Sequence, residues 1–440
     1  MEEINVFEDP RNYAKMGSIY WSAPSSSLSP FDFKSIMKSG YESSVVLRPG
    51  YSWSSPSYSG ATTVKLSVHD INSIYRVYAK ALTAHEVNDG FGMAVATGDY
   101  DDDGYEDIAV GFRDYLSSGA DAGSWKQYVY FFRGVATDDS EAAPSTRYVP
   151  WFIYAVGVAP DSTDTMALAS GDFNGDGITD LAVGQPWYNG NRGQVKVLFV
   201  NTLPTDAAKS DTEDNYAPWG RKGVQHEMTL LPSDVGLNTL GRHRFGAALA
   251  AGQLTVRRGT TSTPVHDLLI GAPGATNNLL IAPRNGGAVA HVRGTDTVSP
   301  ASSWSASLIS LTWSPSNATG VDFGTALGVM PYFCASSTSS NSYTDTFVVG
   351  APGYNANAGA VYVYGCTVDS AGSTFAPSLL RTVTHSQSGA RYGQALQAFR
   401  TLTASGAFTY TDHYVAIGAP GYTGSDGLDS GIVYLDHFEL

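Results

Sequence analysis

Two short stretches carry the densest chemistry in this 440-residue chain. They are Asp99-Tyr100-Asp101-Asp102-Asp103-Gly104-Tyr105-Glu106-Asp107 and Asp172-Phe173-Asn174-Gly175-Asp176-Gly177-Ile178-Thr179-Asp180. Both read D-x-[DN]-x-D-G-x-x-D. Each runs straight into an apolar segment that ends in Gly, Ile108 to Gly111 and Leu181 to Gly184. In such a loop the side-chain oxygens at positions 1, 3, 5 and 9 can converge on one hard cation, and the carbonyl at position 7 can add a donor. Gly at position 6 permits the sharp turn. The result is the oxygen-rich shell that Ca²⁺ favours. An EF-hand loop is longer, ends in Glu and lies between helices, whereas here a β-like run follows at once, so a loop between two strands fits better. The plainer alternative is a pair of acidic surface turns.

These loops must be held by something, and composition points to β-structure. Apolar residues make up 42% of the chain, enough for a sizeable core, and 47 Gly and 26 Tyr suit short strands with many turns. No long stretch has helical period. The formal charge is −15, with nine acidic residues inside the two loops, so bound cations would offset part of the excess. An acidic, aromatic-rich chain without a Lys/Arg stripe argues against nucleic acid or an anionic membrane as partner. No apolar run reaches membrane-spanning length, so membrane insertion is not expected. The start, Met-Glu-Glu-Ile-Asn-Val, lacks the basic and apolar regions of a signal peptide. Loops of this kind fill at calcium levels found outside cells, so a trimmed extracellular or cell-surface fragment is the expectation, with a cytoplasmic protein as the alternative. The two cysteines, Cys334 and Cys366, form no CxxC or Cys/His cluster and do not suggest zinc. They are either a disulfide or two separate buried thiols. Asn317-Ala318-Thr319 is a glycosylation sequon.

Self-similarity organises the rest. Phe91-Gly92, Phe245-Gly246, Phe323-Gly324 and Tyr392-Gly393 each open a unit, with Met166-Ala167 in the same place in another. The later units reach Gly271-Ala272-Pro273-Gly274, Gly350-Ala351-Pro352-Gly353 and Gly418-Ala419-Pro420-Gly421, and a degenerate copy lies at Val45 to Tyr51. Aligned positions fall near 47, 111, 184, 271, 350 and 418. Units of this length hold about four short strands. In one unit these are Phe323 to Val329, Thr346 to Gly350, Ala360 to Tyr364 and Leu379 to Val383. Third strands recur at Thr63 to Val68, Gln127 to Phe132, Gln194 to Val200, Ala288 to Val292 and Gly431 to Leu435. Fourth strands recur at Ile74 to Ala79, Val149 to Ala155, His226 to Leu230 and Ser307 to Thr312. Four-stranded units arranged radially bury their faces on each other. The expected fold is therefore an all-β single-domain β-propeller over residues 1–440, with blades at 12–80, 81–156, 157–231, 232–313, 314–384 and 385–440. The last unit lacks a fourth strand, and Ile4 to Phe7 is spare. That N-terminal strand is expected to pair into the last sheet and close the ring.

Phe-Gly, then the acidic loop, then Gly-Ala-Pro resembles the FG-GAP repeat of the integrin α-subunit head. The resemblance covers about Met16 to Leu440 and is weak in the first unit. It implies a propeller, usually of seven blades, with calcium in hairpin loops between the first two strands of certain blades. Six units are legible here, with an incomplete seventh within residues 1–40 as the alternative. By motif position the resemblance implies two Ca²⁺ sites. Asp99, Asp101, Asp103 and Asp107 would supply side chains and Tyr105 its carbonyl at one; Asp172, Asn174, Asp176, Asp180 and the carbonyl of Ile178 would do so at the other. Asp102 and Glu106 fall outside the pattern and are expected to be solvated. The corresponding segments Gln253 to Val265, Pro331 to Thr344 and Thr401 to Tyr410 are rich in Ser and Thr and are expected to hold no calcium. Cys334 lies in one of them and Cys366 ends the third strand of the same unit, which makes a bridge within one sheet conceivable.

No G-x-S-x-G, HExxH or P-loop appears, and the nine His show no metal-ligand spacing, so no catalytic residue is assigned. A propeller can still assemble a site from different blades. Trp187-Tyr188-Asn189 follows the second acidic hairpin, and an aromatic beside an amide suits a sugar ring or a protein hot spot. Turn aromatics packed on a blade rim are the alternative. Three functions compete: an adhesion or recognition module for a protein or glycan partner, a lectin-like carbohydrate-binding propeller, and a polysaccharide-acting lyase or hydrolase. The first is the expectation, as a monomer or part of a larger surface protein, and it rests on the resemblance.

Overall fold

The computed structural model describes residues 2–7, 16–21, 90–116, 124–136, 146–159, 165–200, 224–237, 241–254, 265–275, 286–294, 306–309, 320–335, 343–368, 375–405, 408–424, 427 and 430–438. It divides into a unit of residues 1–89 with 135–148 and a unit of residues 90–134 with 149–440. The expected strands at 45–51, 63–68 and 74–79, and the sequon at Asn317, lie outside the described residues.

In the smaller unit, β1 (Glu2–Phe7) pairs antiparallel with β2 (Met16–Trp21), Ile4 opposite Ile19 and Phe7 opposite Met16. A hairpin between near neighbours closes a short loop at low entropic cost.

Five antiparallel sheets follow among the described residues, each a meander. The first holds β3 (Ala94–Gly98), β4 (Asp107–Leu116), β5 (Ser124–Ala136) and β6 (Thr146–Ala159). The second holds β7 (Ala167–Gly171), β8 (Asp180–Gln185), β9 (Gln194–Val200) and β10 (Val224–Leu230). The third holds β11 (Leu249–Gly252), β12 (Asp267–Ala272), β13 (Ala288–Val292) and β14 (Ala306–Ile309). The fourth holds β15 (Ala326–Ala335), β16 (Tyr343–Ala351), β17 (Ala360–Val368) and β18 (Phe375–Thr384). The fifth holds β19 (Ala395–Ser405), β20 (Phe408–Ala419) and β21 (Ile432–Phe438). The first strands are packed neighbours in chain order, β3 on β7, β7 on β11, β11 on β15 and β15 on β19. That is the blade stacking of a β-propeller. The strand interiors are apolar because both faces are covered: β8 and β12 are buried along their whole length. Phe173 and Val197 of the second sheet share a cluster with Leu254 and Leu268 of the third, and Val348 of the fourth with Tyr392 and Ile417 of the fifth.

The repeated Phe-Gly pair turns out to be a turn, not strand, so the first strands start about three residues later than the apolar pattern suggests. Gly92, Gly246, Gly324 and Gly393 share φ +87°, open to glycine and strained for other residues. The N–H of Gly246 donates to the carbonyl of Gly271, which ends the second strand of its own sheet (3.0 Å). Its carbonyl lies so near Gly184 of the preceding sheet that a Cβ there would sit 2.2 Å from it. Gly271 meets Gly324, and Gly350 meets Gly393, in the same way. The aromatics before Gly246, Gly324 and Gly393 are buried, and Phe245, Phe323 and Tyr392 form parallel bridges to Gly193, Gly287 and Gly359 of the preceding sheet. These three pairs therefore lock one sheet to the one before it.

One further expectation changes. The segments 331–344 and 401–410 were expected to be loops, but β15 and β16 reach in to Ala335 and Tyr343, and β19 and β20 pair down to Ser405 opposite Phe408. Alternating Thr with apolar residues continues the ladder there. Cys334 lies on β15 and Cys366 on β17, with β16 between them.

Candidate metal centre

The first acidic loop joins β3 to β4, whose ladder runs from Ala94 opposite Gly111 to Gly98 opposite Asp107. The second joins β7 to β8 in the same register, Gly171 opposite Asp180. A five-residue ladder is short, and the intervening loop is folded by its own carboxylates. Asp99 accepts the N–H groups of Asp103 (3.1 Å) and Gly104 (2.9 Å). Asp103 Oδ1 accepts Tyr105 N–H (2.9 Å). Asp107 accepts Tyr100 N–H (2.9 Å) and Gly134 N–H on the third strand (2.7 Å). The second loop repeats the scheme: Asp172 accepts Gly175 (2.6 Å) and Gly177 (3.0 Å), Asp176 accepts Ile178 (2.9 Å), and Asp180 accepts Phe173 (3.0 Å). The apolar residue at position 2, Tyr100 or Phe173, is fully buried and anchors each loop in the core.

Convergence differs between the loops. Asp99, Asp101 and Asp107 each offer a carboxylate oxygen within 4.8 Å of the others. Asp103 is turned away: its Oδ2 takes an Arg133 guanidinium N–H (3.2 Å), and Arg133 Nε also pairs with Asp101. In the second loop Asn174 stands at position 3, donating from Nδ2 to Asp176 Oδ2 (3.0 Å) and accepting Asp176 N–H (3.0 Å). Tyr105 is exposed and Ile178 is buried.

Burial makes these carboxylates poor hosts of uncompensated charge. It pushes Asp101 up to about 6 against the pull of Arg133, and Asp107 up to about 7 despite its two N–H donors. Asp180 is pushed up to about 9 by burial, and Asp172 is raised for the same reason. Asp101 Oδ1 is buried without a hydrogen-bond partner. An all-oxygen donor set, an orphaned buried carboxylate oxygen and several desolvated acids fit a divalent hard cation, which would supply the compensating charge.

Spacing along the chain misses four contributors because each comes from another strand or sheet. Arg133 belongs to β5. Thr179 N–H donates to the Asp99 carbonyl (3.1 Å), His266 N–H to the Asp172 carbonyl (2.7 Å) and Asp345 N–H to the Gln253 carbonyl (2.8 Å). The backbone thus ties the start of each loop to the next sheet. The side chains reciprocate, with His266 Nδ1 accepting Asp172 N–H (3.1 Å) and Asp345 Oδ2 accepting Gln253 N–H (2.7 Å). Burial lowers the His266 pKa, consistent with a neutral acceptor ring.

Trp187, Tyr188 and Asn189 sit on the turn between β8 and β9. Trp187 Nε1 donates to Thr165 Oγ1 (3.0 Å), and the Arg244 guanidinium lies 6.0 Å from its ring centroid. Tyr188 and Asn189 are exposed, and Asn189 takes φ +51°.

Residues 165–198, which span the second acidic hairpin and the turn after it, match the FG-GAP repeat family. A comparison with curated proteins gives no match.

Proposed function

We propose that this FG-GAP repeat protein is a calcium-stabilised recognition propeller, binding a protein or glycan partner through its loops rather than performing catalysis. The observation that carries the reading is the Asp99–Asp101–Asp107 oxygen cluster with its unpartnered buried Asp101 Oδ1, set in a hairpin that recurs in the next sheet. Asp99, Asp101, Asp103, Asp107 and the Tyr105 carbonyl would hold one Ca²⁺. Asp172, Asn174, Asp176, Asp180 and the Ile178 carbonyl would hold the other. The ion would clamp a hairpin whose ladder is too short to hold alone. Loops of this type suit extracellular calcium, which supports a location outside the cell or on its surface. Six blades, with residues 12–80 as the first, are the ring we infer.

The exposed Tyr188 and Asn189 beside Trp187 favour a carbohydrate partner within this reading. Binding on a glycan array in calcium, lost with Tyr188→Ala, would support the lectin-like version. Silence on glycans with capture of one cell-surface protein would support adhesion, and turnover of an acidic polysaccharide would overturn both. The metal itself is tested by thermal melting: an unchanged Tm after calcium is removed would refute the clamp.

A further inference from the structure

We infer that Arg133 is a tethered cation that competes for the first acidic loop, so that the two loops bind divalent cations with different strengths. The inference rests on the metal reading above and deepens it. Besides His266 standing by Asp172 where Thr179 stands by Asp99, the two loops differ at one donor and at one cationic neighbour. Position 3 is Asp101 in the first and Asn174 in the second. Pairing registers place the neighbour: Phe132 faces Ile108 and Leu198 faces Leu181, so Arg133 and Phe199 are equivalent. The added carboxylate therefore comes with an added guanidinium, and the loop lacking one lacks the other.

Arg133 does not merely balance charge. Its fork engages Asp101 Oδ2 and Asp103 Oδ2, while the other Asp103 oxygen is held by Tyr105 N–H. Both oxygens of the position-5 ligand are thus engaged, one by a cation, whereas Asp176 of the second loop is engaged by the neutral donors Ile178 N–H and Asn174 Nδ2. The converging set is Asp99, Asp101 and Asp107 without Asp103. A metal recruiting Asp103 must displace the guanidinium. Displacement is feasible because the Arg133 side chain is 31% exposed and can swing to water, whereas the Asp101 side chain is 6% exposed and stays. In the second sheet Phe199 is buried apolar packing and offers no cation. The first loop is then weaker for divalent ions and more sensitive to what they offer in place of Arg133.

Calcium titration of the full chain by calorimetry tests this. Wild type should show two affinities, and Asp176→Ala should remove the tighter one. Arg133→Gln should tighten the weaker site by up to about fivefold, the value of one partly exposed ion pair. Arg133→Lys keeps the charge without the fork and should fall between, which also guards against a folding artefact. Asp103→Asn should weaken the first loop more in the Arg133→Gln background than in wild type. A first-loop affinity that is unchanged or weaker in Arg133→Gln overturns this inference alone. Absence of calcium binding at either loop overturns it together with the metal reading.

Discussion

The acidic hairpins and the hairpins of the last two sheets solve the same problem differently. Strands β3 and β4 pair over Ala94–Gly98, and the loop beyond is folded by carboxylates around a cation-sized cluster. Strands β19 and β20 continue their ladder from Ala395 to Ser405. The equivalent of Asp107 and Asp180 in the fourth sheet is Thr346, opposite Met330. One region holds its hairpin by charge that needs a partner; the other holds it by backbone bonds that need none. Calcium dependence should therefore be a local property, not a property of the fold.

The sharpest way to break that contrast is to remove calcium. At a hundredfold excess over Kd each occupied site contributes about 2.7 kcal/mol. Removal should lower Tm and raise amide exchange at 99–107 and 172–180 while leaving 395–419 unchanged; uniform exchange would erase the distinction. Next in size, Asp180→Ala removes a proposed ligand and the acceptor of Phe173 N–H, and should cost roughly 2–4 kcal/mol in urea unfolding. Thr346→Val, at the same place in the fourth sheet, should fall within about 0.5 kcal/mol of wild type or above it, because the buried Thr346 Oγ1 has no hydrogen-bond partner.

A third test uses pH. The folded-state pKa values of Asp107, about 7, and Asp180, about 9, lie above the usual 3.8. The metal-free folded state then binds more protons than the unfolded chain, so its stability is greatest near pH 4 and declines as pH rises through 7 and 9. Calcium reverses the trend, since the ion displaces those protons. Melting at pH 5, 7 and 9 with and without calcium should show an increment that grows with pH. The smallest effect concerns the turns after the second strands. Ala356 takes φ +56° where the second sheet has Gly190 at φ +68°. Ala356→Gly should stabilise, and Gly190→Ala destabilise, each by about 1 kcal/mol in unfolding measurements.

Much of this was legible in the sequence because a repeat states the same rule several times. The third strands Gln194–Val200 and Ala288–Val292 coincide with the reading made from apolar runs alone. The acidic loops were visible as motifs, since their ligands lie within nine residues. What escaped depends on register or on distant pairing. Phe245 reads as strand because it is apolar, yet it bridges to Gly193 from a turn. Arg133 lies 26 residues from Asp107 and meets the loop through a neighbouring strand, a relation that no spacing rule encodes. Ile4 to Phe7 looked spare, and only the pairing with β2 shows where its backbone groups go.

Each loop start is tied to the sheet that follows it in the chain. Thr179, His266 and Asp345 each donate back to the sheet before, at Asp99, Asp172 and Gln253. Under mechanical load applied at the C-terminus, the fifth sheet has to leave before the fourth exposes its own tie. Force spectroscopy should then trace a sawtooth of successive ruptures, shed sheet by sheet from the end of the chain, and the metal-clamped hairpins would be the last to yield.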